Sequence, residues 1–404
     1  MNYSARVLYF NEEDAVKRLM QDMGCDPAGI SIMAPKALFK TVYIESITTK
    51  AANLLKQTFL AKGAEVAVAR GTADLSAAQT PVLICGTHKQ YRQALAQLRQ
   101  QPWGLPDLAK AVEQVLAAEA NRPSRKYLVQ GRPFSIQPGK TMVMGILNLT
   151  PDSFSDGGQH NNINAAVERT MAMIEDGADI IDIGAESTRP YGSVKITADE
   201  ELSRLMPVLE KILSISTVPV SVDTYKSVVA AKALEAGAHI LNDIWGLQQE
   251  PEMASLAARY QVPVVIMHNR ASSADSQHDI MAEMIEFFNR SIEIGLQAGI
   301  NREQFIIDPG IGFGKNTAQN LEVLARLTEL KTLDCAILVG ASRKRFIGEI
   351  LNLPVEERAE GTGATVVHSI LNGASIVRVH DVEMAKRMAV MTDALQNWRA
   401  YGLG

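Results

Sequence analysis

From residue 142 onward, eight short apolar runs each close on polar side chains: 142–149, 179–185, 219–223, 240–244, 263–268, 305–308, 336–341 and 375–380. The polar groups that follow them are Asn148, then Glu186 with Ser187, Thr188 and Arg189, then Asp223, Asn242 with Asp243, His268, Asp308, Ser342 with Arg343 and Lys344, and finally Arg378 with His380 and Asp381. A single Asp or Asn after a strand is more often a turn or a helix cap than a ligand-binding group. Eight in succession are harder to assign to turns. Carboxylates and an amide on some runs, with lysine, arginine and histidine on others, suit a ligand with a hydrogen-donating head and an anionic tail. The segment GIGFGK at 310–315 lacks the dinucleotide spacing, and no Ser or Thr follows its lysine, so it is not a nucleotide loop. It reads as a flexible turn that lets backbone approach a ligand, and Asp156-Gly157-Gly158 reads as a mobile loop over the site. His268 reads as a packed histidine, His239, His278 and His368 as structural or solvated, and the methionines at 281 and 284 as packing.

These groups need a scaffold that brings eight strand ends to one mouth. Near-continuous apolar strands alternating with helical stretches such as Ile163 to Asp176 and Ser227 to Ala236 imply a parallel sheet covered on both faces. Eight such units in about 250 residues predict an α/β fold of the (β/α)8 TIM-barrel type, whose chemistry lies at the C-terminal ends of its strands. Ahead of it, residues 1–125 read as a smaller α/β domain of parallel-sheet character, with strands at 6–10, 41–47, 64–69 and 81–85 and helices at 12–23, 49–62, 88–100 and 105–119. No phosphate loop or catalytic trio occurs in it. The polar stretch 121–126 is the expected linker, 127–140 a hairpin-like lead-in, and 126–404 the barrel domain.

Composition sets the bounds. The chain has 404 residues, 47% hydrophobic and 21% charged, with a formal net charge of -5 and no basic block, which gives no footprint for nucleic acid. Three scattered cysteines without metal-ligand spacing read as reduced thiols. No signal peptide or membrane span is evident, so the expectation is a cytoplasmic protein with no membrane partner.

Taken in order, MGILNLTPDSFSDGG (144–158), DIGAESTRP (182–190), SVDT (221–224), NDI (242–244), DPGIGFGK (308–315), GASRK (340–344) and RVHD (378–381) resemble the dihydropteroate synthase family over roughly 127–400. The resemblance implies condensation of 6-hydroxymethyl-7,8-dihydropterin pyrophosphate with p-aminobenzoate, releasing pyrophosphate with Mg²⁺. It implies catalytic roles for Asp223, Lys344, Arg378 and His380. Asp308, Asn242 and Lys344 would read the pterin edge, with Ile244 and Met267 as apolar wall. Arg378 and His380 would bind the diphosphate, and Asn148 would contribute to the Mg²⁺ site. Phe154, Asp156, Thr188, Arg189 and Pro190 would complete the p-aminobenzoate site on two loops, with Gly340, Ser342 and Arg343 at the same mouth. It further suggests a homodimer. The chain departs from the pattern where Tyr191 stands between Pro190 and Gly192, and in carrying residues 1–125 at all. Two other readings are a methyltetrahydrofolate-binding methyltransferase of the same barrel clan, which needs no pyrophosphate site, and a non-enzymatic barrel serving residues 1–125 as scaffold.

Overall fold

The computed structural model describes residues 4–10, 12–120, 123–149, 159–186, 195–270 and 279–398, without the side chains of 159–162. The chain divides into two compact units, Met1–Asn121 and Arg122–Gly404, and the division falls at the start of the polar stretch 121–126.

In the first unit, strands β1 (Phe39–Thr48), β2 (Glu65–Val68) and β3 (Gln79–Thr87) form a sheet in the order β1-β3-β2. Both outer strands run antiparallel to β3. The expected parallel character is therefore wrong in detail. β1 and β2 do run the same way, joined by helix α3 (Thr49–Leu60, after α1 at Glu13–Asp22 and α2 at Pro27–Met33), but β3 is inserted between them. The reason is visible in β3, where alternate residues are buried and the others face outward, as expected of a sheet with one covered face. The ten residues between β2 and β3 are also too few for a crossover helix. Helices α4 (His88–Leu98) and α5 (Leu105–Ala120) complete the core around Leu55, Phe59 and Tyr91. The Tyr91 hydroxyl donates to the Ile84 carbonyl at 2.8 Å. Residues 6–10 form no strand: Val7 and Tyr9 are 76% and 91% exposed.

The second unit opens with a hairpin of β4 (Arg125–Val129) and β5 (Arg132–Ile136). Eight parallel strands then close a barrel: β6 (Met142–Asn148), β7 (Ile180–Gly184), β8 (Val220–Asp223), β9 (Ile240–Asp243), β10 (Val264–Met267), β11 (Phe305–Asp308), β12 (Ala336–Val339) and β13 (Ile376–Val379). Between them run α6 (Gln159–Glu175), α7 (Ala198–Ile215), α8 (Ser227–Ala236), α9 (Pro251–Tyr260), α10 (Ile280–Ala298), α11 (Thr317–Ala325), α12 (Arg345–Leu351) and α13 (Ala359–Leu371), and α14 (Val382–Gln396) ends the barrel. Local signals set the helix limits. Thr197 caps α7, Asn316 forms a capping box with Gln319 at α11, and Gly237 and Gly299 end α8 and α10 in the left-handed region. Met281 and Met284 pack in the core as expected.

The circle closes where β13 pairs with β6. Just before β6, the buried Thr141 donates its N–H (2.6 Å) and hydroxyl (2.9 Å) to the Asp393 carboxylate on α14. Asp393→Ala strands both donors, so it is expected to lower the barrel's stability by about 2–3 kcal/mol. The midpoint of urea unfolding is the measurement, and an unchanged midpoint would reject the tie.

Candidate active site

Strand register builds the floor of the site. Gly184 pairs with Asp223 and Asp223 with Asn242, while Met267 pairs with Asp308 farther round the barrel. Two residues before Gly184, on the same face of β7, lies Asp182, which is wholly buried. Above this floor an open-mouthed cavity of about 320 Å³, solvent at the mouth included, is lined by Asp223, Asn242, Ile244, Met267, Asp308, Gly310, Ile311, Phe313, Gly340, Lys344 and Arg378. Eight of the residues singled out from the sequence thus share one cavity.

Arg378 is the hub. Its Nε and Nη2 donate to Asp182 Oδ2 at 2.7 and 2.6 Å, and Nη2 also reaches Asp223 Oδ2 at 2.8 Å. Burial works against the guanidinium charge, but Asp182 and Asp223 outweigh it and hold the group protonated. Asn242 turns its amide toward the same Asp182 carboxylate, at 3.3 and 3.4 Å, which leaves its carbonyl oxygen for a ligand. Burial raises the proton affinity of Asp223. Arg378 opposes that shift and Asp182 adds to it. Asp223 Oδ1 is buried with no protein partner among the described residues, an acceptor that fits charge arriving on a ligand.

Asp308 is pushed the same way by burial, while the Gly310 N–H, donating to its Oδ1 at 2.7 Å, and the cations Arg378 and Lys344 pull it back. The segment after β11, expected as a flexible turn, is tied by hydrogen bonds. The Gly312 N–H donates to Asn320 Oδ1 at 2.7 Å, and the Phe313 N–H to the Gly310 carbonyl at 3.0 Å. Glycine is required at 310: φ is +65°, and a Cβ would lie 2.1 Å from the His268 carbonyl oxygen. Lys344 Nζ sits 4.2 Å over the Phe313 ring.

At the rim, His380 Nδ1 is 2.9 Å from Ser342 Oγ, and burial, aided by Arg378 and Arg343, pushes its pKa down to about 4. Arg343 forms a bidentate pair with Asp381 at 3.1 and 2.6 Å, so its guanidinium serves the rim rather than the cavity. Asn148 ends β6, half-buried. Asn148, Ser342, Arg343 and His380 are not among the cavity-lining residues. Phe154, Asp156, Thr188, Arg189, Pro190 and the extra Tyr191 lie outside the described residues. Lys226 donates to Glu186 and to the Ile196 carbonyl (2.8 Å), which lie on either side of the second of these stretches in sequence, and to Glu201 at 2.6 Å. His268 is buried beside Glu283 with its pKa pushed down to about 4, mainly by burial, in keeping with a packed histidine.

Sequence reasoning gave no role to Asp182 or Phe313. Asp182 had a signal: a carboxylate flanked by Ile180, Ile181 and Ile183 in a strand buried throughout must find a charged partner. Phe313 had none, because only the pinned loop aims it at Lys344.

Asp182→Ala removes one member of a buried charge set and leaves Arg378 undercompensated. A loss of about 3–5 kcal/mol in unfolding free energy is expected. Equilibrium denaturation tests it, and wild-type stability would mean that Arg378 finds its partner elsewhere.

Residues 144–380 match the family model for pterin binding enzymes. The chain is 52% identical over 258 residues to the dihydropteroate synthase of Bacillus subtilis, covering 64% of this chain and 90% of that protein. It superposes on a Clostridium difficile dihydropteroate synthase solved with pteroic acid, with a TM-score of 0.62 and 48% identity over 63% of this chain and 97% of the other. A probable bifunctional folylpolyglutamate synthase/dihydropteroate synthase of Haloferax volcanii is 37% identical over 385 residues, 92% of this chain and 45% of that protein, so that likeness extends into the first unit. On a family model that spans more than half of it and a relative nine-tenths covered, the chain belongs to the dihydropteroate synthase family of pterin-binding enzymes.

Proposed function

We propose that this chain condenses 6-hydroxymethyl-7,8-dihydropterin pyrophosphate with p-aminobenzoate, releasing pyrophosphate and 7,8-dihydropteroate. The observation that carries the reading is one cavity in which Asp223, Asn242, Asp308, Lys344 and Arg378 converge between apolar walls. A pterin edge presents an amino group and a ring N–H side by side, and the Asp308 carboxylate accepts from both. The Asn242 oxygen and the Lys344 ammonium meet the remaining edge, and Ile244 and Met267 flank the ring. The bond between the methylene carbon and the diphosphate oxygen breaks, and positive charge spreads into the pterin, where Asp223 faces it. The amine nitrogen then bonds to the carbon, and its proton passes to solvent. An aromatic amine is neutral at pH 7, so no general base is needed. Positioning and electrostatics supply the rate. Arg378 and His380 take the departing charge. His380, neutral in the free protein, gains proton affinity when an anion arrives.

Mg²⁺ belongs to this reading. It takes phosphate oxygens, waters and one or two protein oxygens, a demand that the Asn148 carboxamide at the β6 end fits, and when bound it neutralises the leaving group. A cytoplasmic setting and a homodimer are further parts of the proposal. The setting agrees with three free cysteines, and no described helix is long and apolar enough to cross a membrane.

Incubation with the pterin pyrophosphate and p-aminobenzoate is expected to yield dihydropteroate by mass detection. Methyl transfer to cobalamin without pyrophosphate release would instead support the methyltransferase. Lys344→Ala should lower turnover by about 100-fold or more while circular dichroism stays native, and Arg378→Ala should do the same at a cost in stability, since it strands Asp182 and Asp223; near-normal rates would remove those roles. Chelation should abolish activity and added Mg²⁺ restore it, whereas activity indifferent to chelator would rule out the metal.

A further inference from the structure

Lys315 is 8% exposed, yet its ammonium has no carboxylate within hydrogen-bonding distance among the described residues. It donates to three backbone carbonyls instead: His268 at 3.3 Å, Gly310 at 3.0 Å and Phe313 at 3.1 Å. His268 follows β10, and the other two lie in the loop between β11 and α11, so one side chain ties adjacent strand ends together. The loop it ties carries two contacts to the charged groups of the cavity. The Gly310 N–H holds Asp308, and Gly312 and Phe313 pack on Lys344, so closely that a Cβ at 312 would lie 2.9 Å from Lys344 Cδ. A buried ammonium is a costly way to fasten a loop, since a methionine of similar length would fill the space without desolvating a charge. Burial depresses this lysine to a pKa of about 7, so the protein keeps it at the expense of stability. The return is geometric order next to the cavity.

We propose that Lys315 is a positioning residue: it straps the β11–α11 loop to the end of β10 and thereby sets the spacing of Asp308 and Lys344 for the flat head of the substrate, a role that rests on the synthase reading. It touches no substrate and acts through those two side chains. Loosening the strap should therefore disturb this loop and the side chains it aims while the rest of the barrel stays ordered, a locality that general destabilisation would not produce.

The test is Lys315→Met in the full chain. Its kcat/KM for the pterin pyrophosphate should fall about 10- to 100-fold. In the substrate-free protein, hydrogen exchange of the amides at 310–314 should speed up relative to the rest of the barrel. Lys315→Gln, which keeps donors on a shorter stem, should show the same pattern at smaller size. Unchanged exchange, exchange that speeds up equally across the barrel, an unchanged kcat/KM, or failure of both variants to fold would each overturn the proposal. The exchange measurement needs no substrate, so a wild-type chain that makes no dihydropteroate defeats the synthase reading separately.

Discussion

The barrel mouth is organised by one constraint: charge taken out of water has to be met by charge or by well-aimed dipoles. Arg378 enters the interior from β13 and is answered by Asp182 from β7 and Asp223 from β8. Asp182 in turn fixes the amide of Asn242. Three strands and the last strand of the barrel are thus held by a single carboxylate–guanidinium set. Such a set adds little net stability compared with a well-packed apolar core. It does allow one arrangement of donors and acceptors at the cavity floor, which is what recognition of a heterocycle requires.

That arrangement sorts the cavity chemically. Acceptors at Asp308 and the Asn242 carbonyl share the cavity with the cations Lys344 and Arg378. Burial raises the proton affinity of both Asp223 and Asp308, and the neighbouring cations pull it back. The site is therefore balanced rather than strongly signed, and the incoming substrate completes the balance. Dipoles and charges already in place need no reorganisation during bond breaking, which is the main source of rate in reactions of this kind.

Much of this was legible in residue order. Continuous apolar runs of four to eight residues alternating with helical stretches imply strands covered on both faces, and a count of eight without a dinucleotide fingerprint favours a barrel over a doubly wound open sheet. Polar residues at the ends of those runs then name the mouth, and Asp223, Asn242, Asp308, Lys344 and Arg378 follow directly. What was not legible depends on contacts across the barrel. Asp182 to Arg378 spans 196 residues of sequence, and nothing local to either reports the pairing. The ties of the loop at 310–314 were missed because glycines suggest freedom, whereas here they make room for carbonyls that a buried lysine gathers in. In the first unit the alternation within β3 was the usable clue to an antiparallel partner, and the helix between β1 and β2 obscured it.

The tie between Thr141 and Asp393 bears on the order in which the chain can become structured. The first barrel strand pairs with the last one, and its leading residue is held by the final helix, 252 positions later. The barrel's circle cannot shut until β13 has been made and paired with β6, and the tie waits further for Asp393. The first unit is under no such delay: its core draws only on residues up to Leu116. It can be complete early, while the apolar strands of the barrel are still exposed.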